Sequence, residues 1–466
     1  MRRREEGWRT ARSMTLNGAA TPAPAGAGLT GGPAVPATQS QLVAMGEYIR
    51  HFASHFSRIE WSLSFIGVLL YLFVTTTYRI PVGDVAMACA LFGLFLLRGQ
   101  LRFPPAAILY FSLLIWACVG LMLSPYPTVV VEEVWNGVKV GLILLATVNA
   151  LRSRSQIRFF IVFFLACFGS HPARGTVINY LTGNTEFGRA AWNYIYENSN
   201  DMAALTLLQL SMAIGLLMTE KKGIIRLGAL FALGVFPVVI LMTQSRAVML
   251  GLAVFILLAI AGHQRKFRSL SVLVLVGALV IAIAPKGVWD RMKGLSNATS
   301  TENLSQVDEE GSAQQRWMIW EAGAQVVRQH PVAGVGLGAY PYANGDVSAI
   351  LGKRDAHSTY LTFAAENGFV GLALFLGLVG GTIARSRKVR RRCRSILPNA
   401  TQQLRYLEIG LIAFLIAGIW GSYGKLAFLY VHIALIWAMA AAVEAEWTRA
   451  RQAAASGVVV PAPAGG

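Results

Sequence analysis

The chain has 466 residues, of which 55% are hydrophobic and only 14% charged. That balance excludes a soluble globular protein and fits a polytopic membrane protein whose helices are apolar almost all round. The formal net charge of +18 does not signal nucleic acid. The basic residues fall mostly between hydrophobic segments, where they set topology, and no nucleic-acid motif accompanies them.

The first stretch, 1–57, is rich in Ala, Gly, Pro, Thr and Arg through about Gln41, and begins Arg2-Arg3-Arg4. It lacks the apolar core of a signal peptide and is expected to be a disordered cytoplasmic tail and lead-in. Segments long enough to span, or nearly so, follow at 61–78, 82–97, 104–123, 134–150, 157–170, 201–219, 224–242, 247–262, 268–285, 358–384, 406–424 and 426–443. The expected fold is an all-α polytopic integral membrane protein of about twelve transmembrane helices over 58–452. A disordered tail is expected at 453–466. The cysteines, Cys89, Cys118, Cys167 and Cys393, have neither metal-ligand spacing nor the look of a disulfide framework.

Charge gives the orientation. With the N-terminus inside, the inside loops hold Arg98 and Arg102; Arg152, Arg154 and Arg158; Lys221, Lys222 and Arg226; Arg265, Lys266 and Arg268; and the run Arg385 to Arg394. The outside turn 124–133 has no Lys or Arg and two acids. This positive-inside pattern predicts an inner-membrane protein with both termini cytoplasmic. The Arg385–Arg394 run then reads as a topological anchor, with lipid headgroup binding as a second option. Two long loops fall on the periplasmic side, 171–200 and 286–357. A hydrophobic chain that projects two polar loops on one face is expected to work at that face. Within the second loop, Trp317, Trp320, Ala324 and Val327 recur at helical spacing and predict an amphipathic helix over 315–329. Such a helix lies along the membrane surface, caps a cavity, or simply packs the loop core.

Outside loops should avoid arginine, yet Arg174, Arg189, Arg246 and Arg316 are all placed there. Arg246 has almost no loop around it, so its guanidinium belongs at the outer membrane rim. There it either snorkels to headgroups or meets an anion. Several arginines on one face favour an anionic ligand, and the guanidinium fork suits phosphate. Asn200 and Asp201 can cap the helix that follows them.

His357 directly precedes an apolar segment that Ser358 or Asp355 can cap. Its ordinary pKa suits proton transfer near neutral pH; the bland alternative is an interfacial histidine that only hydrogen-bonds. His171 and His330 are alternative bases without such a context. Glu366 lies nine residues on, roughly 13 Å deeper along a helix rising ~1.5 Å per residue. At ~100° per residue it faces nearly opposite to His357, so it is expected to pair with a buried Arg or a polar helix neighbour. Gly334-x-Gly336-x-Gly338 follows no strand and opens no βαβ unit; it reads as a turn that lets backbones approach closely.

Together these pieces resemble the signature region of the O-antigen ligase and O-antigen polymerase superfamily. The matching pieces are Thr243-x-Ser245-Arg246, Asn198-Ser199-Asn200, Arg316-x3-Trp320, His330-Pro331-x2-Gly334-Val335-Gly336-x-Gly338, His357-x2-Tyr360-Leu361 and Glu366-x-Gly368-x2-Gly371. They run in order over 185–380. Ser199 stands where proline is usual, Ala247 where glycine often follows the arginine, and Ser358 where asparagine often follows the histidine.

The resemblance implies a membrane glycosyltransferase of the all-helical, GT-C-like type with a large periplasmic loop containing amphipathic helices. Its donor is a glycan on undecaprenyl diphosphate. The acceptor is lipid A–core in ligases, another glycan in polymerases, or a protein hydroxyl in related oligosaccharyltransferases. Mechanistically it implies inversion without metal or cofactor. His357 takes the catalytic base role, Arg189, Arg246 and Arg316 hold the diphosphate, and Asn200, Trp320, Tyr360 and Glu366 support them. Ligation to lipid A–core stands slightly ahead of polymerisation. The alternative from another class is a lipid-linked glycan transporter, which should show a mid-membrane site, broken helices and related halves. No internal repeat is visible, and the polar residues gather at one rim.

Overall fold

A computed structural model of the protein describes residues 59–77, 82–96, 100–261 and 312–456. The N-terminal tail, the expected segment 268–285 with its flanking Arg265, Lys266 and Arg268, the loop stretch 286–311, and residues 457–466 lie outside the described residues. Those described form helices, with no strand longer than the isolated bridge Glu186–Arg189.

In chain order the helices are α1 (Leu63–Thr77), α2 (Gly83–Leu96), α3 (Pro105–Leu123), α4 (Pro127–Ala150), α5 (Arg154–Phe168), α6 (Arg174–Leu181), α7 (Ser199–Leu217), α8 (Ile224–Met242), α9 (Arg246–Ala261), α10 (Ser312–Gln329), α11 (Tyr340–Val347), α12 (Thr359–Cys393), α13 (Pro398–Ala417) and α14 (Ala427–Ala455). Start signals are local. Prolines in the first turn open α3, α4 and α13, where their missing N–H costs nothing. A capping box opens α5: Ser153 Oγ accepts from the Gln156 amide while Gln156 Oε1 accepts from the Ser153 amide.

Among the described residues, seven helical stretches are long and apolar enough to cross a membrane, and α1, α2 and α9 are shorter apolar helices. This establishes a multi-pass membrane protein without fixing the expected count of twelve. The spanning stretches of α7, α13 and α14 are buried over most of their length, whereas those of α3, α8 and α12 expose more than half. The core of the bundle therefore sits along α7, α13 and α14, and the exposed apolar faces of α3, α8 and α12 are those a lipid environment would cover.

Several expected boundaries move. Helix α4 starts at Pro127 rather than 134, because Glu132 and Glu133 interrupt the apolar run without interrupting the helix. Helix α5 continues through a wide turn, Gly169–Ala173, into α6, so the first long loop begins after Leu181 rather than at 171. Pro172 inside that turn has no N–H to give a regular ladder. The expected segment 406–424 ends in a short 3₁₀ turn at Gly418–Trp420, and residues 421–426 form a loop.

Helix α12 runs on to Cys393, so the Arg385–Arg394 run is helical rather than a loop. Those arginines have partners. Glu408, buried on α13, accepts from Ser386, Arg387 and Arg390, and Glu444 on α14 pairs with Arg385 and Arg392. At the same end Arg158 grips Glu220 with two hydrogen bonds, at 2.5 and 3.0 Å. The basic residues that set topology in the sequence thus also tie the helix ends together.

Helix α10 is amphipathic, but its buried face is Ile319, Ala322, Val326 and Val327 rather than the tryptophan stripe; Trp317 is exposed and Trp320 half-buried. These residues join Val335, Ala339, Tyr340 and Ala365 in a second apolar cluster that seats α10 and α11 over the start of α12.

Candidate functional site

The site is built where three helix N-termini meet at one end of the bundle. Asn198, extended, caps α7 by accepting from the Asn200 amide at 2.8 Å. The cap is therefore Asn198 and not the Asn200–Asp201 pair, which leaves the Asn200 side chain to do something else. Its Oδ1 accepts from Arg189 Nη2 at 2.7 Å and from Ser245 Oγ at 2.8 Å. One amide oxygen thus joins the arginine of the first loop to the Thr-x-Ser-Arg turn between α8 and α9. Further bonds fix the same junction: Arg189 Nε donates to the Thr243 carbonyl at 3.1 Å, Gln244 Nε2 to the Gly188 carbonyl at 2.8 Å, and the Ala190 amide to the Met242 carbonyl at 3.0 Å.

That turn is strained. Gln244 and Phe187, on its two sides, have φ of +51°, a left-handed conformation unusual for residues with side chains. His357 is the other strained residue of the site, with φ of +47°. Such conformations cost of order 1–3 kcal/mol each and persist where the surroundings over-determine them. Two of those surroundings are visible. Trp320 Nε1 on α10 donates to the Ala356 carbonyl at 2.9 Å, and Ser358, buried, caps α12 through its Oγ to the Leu361 amide. Trp320 thus holds the backbone immediately before the histidine.

His357 is half-buried. Burial, the positive charge of Arg316, and those of Arg354 and Arg189 push its imidazole below the ordinary value, with Asp355 opposing them. Two of the three candidate anion-binding arginines, from loops far apart in sequence, therefore act on the candidate base. Arg246 opens α9 next to Ser245, which shares Asn200 with Arg189. Arg174 is exposed and bonds its own helix through the Ser170 carbonyl. Glu366 does not act on His357; it is buried and pairs with Lys425 Nζ at 3.0 Å. Tyr360 is a brace, its hydroxyl donating to the Leu415 carbonyl of α13 at 2.8 Å. His330 is exposed at the end of α10, and His171 shares a hydrogen bond with Ser170 in the wide turn.

The glycine motif explains how the floor is made. Helix α12 breaks at Gly368, whose φ of +64° and ψ of −172° are not helical. The break exposes carbonyls that a bundle interior cannot leave unpaired. The loop Gly334–Gly338 supplies the donors: the Val335 amide reaches the Ala365 carbonyl and the Gly336 amide the Glu366 carbonyl, both at 2.9 Å. Trp116 Nε1 takes the Asn367 carbonyl at 2.9 Å. A Cβ on Gly334 would stand 2.3 Å from the Glu366 carbonyl carbon, and one on Gly368 only 1.9 Å from the Val332 oxygen. The close backbone approach expected of this motif is what it provides.

The loop 421–426 was missed in the sequence. Thr359 Oγ1 donates to the Gly421 carbonyl at 2.7 Å and accepts from the Tyr423 amide at 2.9 Å, fastening that loop to the start of α12. Tyr423 is buried among the site residues. Burial pushes its hydroxyl above the ordinary tyrosine value and Asp201 adds to this, against Ser245, Arg316 and Arg189. The hydroxyl approaches Ser245 without a hydrogen bond of ordinary geometry. The available signal was a lysine, Lys425, standing between two apolar runs with almost no loop around it.

Fold and site together define a multi-pass membrane protein with a histidine and arginines gathered at one end. Residues 228–376 match the family model described as O-antigen ligase. That stretch contains Arg246, Arg316, His357 and Glu366, so the match falls on the motifs that carry the resemblance; it supports the O-antigen ligase and polymerase superfamily and, at that coarse level, a glycosyltransferase-like enzyme. No curated protein matches the chain.

Proposed function

We propose that the protein transfers a glycan from undecaprenyl diphosphate to an acceptor hydroxyl at the periplasmic face of the inner membrane, with lipid A–core as the acceptor of first choice. The observation that carries this reading is the placing of a histidine favoured in its neutral form within the field of Arg189 and Arg316. A neutral imidazole accepts a proton at physiological pH, and the arginines that keep it neutral are also the groups an anionic leaving group needs.

The step runs as an inverting displacement. The acceptor oxygen attacks the anomeric carbon of the donor sugar while His357 takes the hydroxyl proton. The bond from the anomeric carbon to the diphosphate oxygen breaks, and its electron pair leaves on the diphosphate. Arg189, Arg246 and Arg316 stabilise the developing charge, assisted by the N-termini of α7, α9 and α12. Asn200 fixes the Arg189 guanidinium before substrate arrives, so little reorganisation remains for the reaction itself.

The test uses purified protein in liposomes with a lipid-diphosphate glycan. His357→Ala is expected to insert normally and to abolish transfer. Arg246→Lys is expected to impair it despite retaining the charge, because an ammonium lacks the bidentate fork. Normal transfer by both variants refutes the mechanism. Capped lipid A–core as product identifies a ligase, whereas a ladder of longer lipid-linked chains identifies a polymerase.

A further inference from the structure

Two adjoining cavities open beside the histidine and use none of the arginines. The first is lined by Asp355, Thr362, Phe363, Glu366, Ser422 and Lys425 among others. The second runs past Lys425 to Tyr110, Glu133, Asn136 and Asn367, with Leu113, Leu114, Ala117 and Val140 also in its wall. Leu337, Phe363, Gly424 and Lys425 line both, so the two share a wall and together make up the chamber. It starts two residues from His357, at Asp355. None of Arg189, Arg246 and Arg316 belongs to its lining.

The wall chemistry selects an occupant. Lys425 is the one cation among these lining residues, and it is already paired with Glu366. Asp355 and Glu133 add two further carboxylates. A phosphorylated or carboxylated group entering here meets net negative charge, so the chamber disfavours anions. Most of the wall is apolar, and within it Thr362, Ser422, Asn136 and Asn367 supply groups that both give and take hydrogen bonds. Phe363 and Tyr110 belong to the buried apolar wall, packed against Phe375 and Tyr430 respectively.

Asn367 points to a ligand most directly. Its residue is only 1% exposed, yet neither its Nδ2 nor its Oδ1 has a hydrogen-bond partner. Leaving such buried groups unmet is costly, and native structures seldom tolerate it without a reason. The side chain is also held in place, because the helix backbone at Gly371 passes so close that a Cβ there would lie 2.2 Å from Asn367 Cβ. An amide that is fixed, buried and presenting both a donor and an acceptor matches a pair of sugar hydroxyls.

We infer that this chamber is the acceptor subsite, and that it holds an uncharged, hydroxyl-rich sugar rather than a phosphorylated one. The inference rests on the glycan-transfer reading and adds a substrate class to it. The donor's charged diphosphate keeps to the arginine side of His357, and the acceptor approaches from the acidic side, so the nucleophilic hydroxyl and the leaving group come to the histidine from separate compartments.

The experiment combines binding and kinetics on the full-length protein. Saturation-transfer NMR on detergent-purified His357→Ala protein, which is expected to be inactive, would use a neutral hexose disaccharide, its monophosphate, and inorganic pyrophosphate as probes. The neutral disaccharide should bind, its monophosphate should bind at least tenfold more weakly, and pyrophosphate should not displace the disaccharide. Adding Asn367→Ala should weaken disaccharide binding at least tenfold. In an otherwise wild-type background, Asn367→Ala should raise the acceptor KM about tenfold and leave the donor KM unchanged. Asn136→Ala, on an exposed position, provides a milder variant with the same expected direction should Asn367→Ala fail to fold. Preferred binding of the monophosphate, displacement by pyrophosphate, or an unchanged acceptor KM in folded variants overturns the inference. Absence of transfer by the wild-type protein with every acceptor would instead overturn the underlying reading, so the two failures are separate.

Discussion

Asn200→Ala is the sharpest test of how the site is organised. The substitution removes one acceptor atom that serves two donors, Arg189 Nη2 at 2.7 Å and Ser245 Oγ at 2.8 Å. A hydrogen bond from a charged donor contributes about 1.5–3 kcal/mol and a neutral one about 0.5–1.5 kcal/mol, so the pair is worth roughly 2–4.5 kcal/mol. Arg189 is only half-buried, and water can replace part of its loss. The lower end therefore applies, which at about 1.4 kcal/mol per decade is a fall of roughly 10- to 100-fold in kcat/KM. The Asn198 cap and the bonds from Arg189 Nε and Gln244 Nε2 remain, so the protein should still fold and insert.

Initial rates of transfer in liposomes measure the effect, and a double-mutant cycle with Arg189→Ala assigns it. If Asn200 acts by orienting the guanidinium, then in the Arg189→Ala background its loss costs only the Ser245 share, about 1 kcal/mol or some fivefold. An Asn200→Ala rate within twofold of wild type, or losses that multiply in full across the cycle, would show that the shared oxygen does not preorganise the arginine.

Two further predictions follow from the same geometry. Transfer should fail on the acid side as His357 becomes protonated. Because Arg316 helps hold that imidazole low and Asp355 opposes it, Arg316→Gln should move the acidic limb of the pH–rate profile to higher pH and Asp355→Asn to lower pH; limbs that do not move, or move the other way, contradict the electrostatic assignment. Gly368→Ala should prevent accumulation of protease-resistant protein in the membrane, since the added Cβ lies 1.9 Å from the Val332 oxygen at a φ of +64°. Gly377→Ala in the same helix, where the nearest neighbour is a Leu109 methyl at 3.8 Å, should be tolerated.

What the sequence disclosed and what it hid divide along a physical line. Apolar runs and the charges between them are local properties, so the helical class, most segment positions and the odd arginines were visible. Glu366 was recognised as needing a partner because a carboxylate within an apolar run always does. Its partner, Lys425, is 59 residues away in sequence. No periodicity connects the two, and an arginine or polar helix neighbour was expected instead. Asn200 had a sufficient local role as a helix cap, which concealed its long-range one until Asn198 proved to be the cap. Boundaries failed where polar residues sit inside helices, as at Glu133 and Arg385, since hydropathy marks the end of a membrane core and not the end of a hydrogen-bonded ladder.

The broken helix bears on the choice between an enzyme and a transporter. Discontinuous membrane helices are a mark of transporters, where unwound carbonyls coordinate ions and half-helix ends face a substrate. Helix α12 is discontinuous at Gly368, and taken alone that favours transport. Its freed carbonyls are occupied, however: Ala365 and Glu366 by the amides of Val335 and Gly336, and Asn367 by the Trp116 indole. The Phe369 amide, which the break also frees, donates to the Pro331 carbonyl at 2.8 Å. A break whose polar groups are consumed by a docked loop cannot coordinate an ion through them, and rocking there would require four hydrogen bonds to part together. Rigidity is what a transferase asks of this element. The docked loop fixes Glu366 and Asn367 on the helix that begins two residues after His357, so the proposed base and the proposed acceptor wall are held on one inflexible piece of backbone.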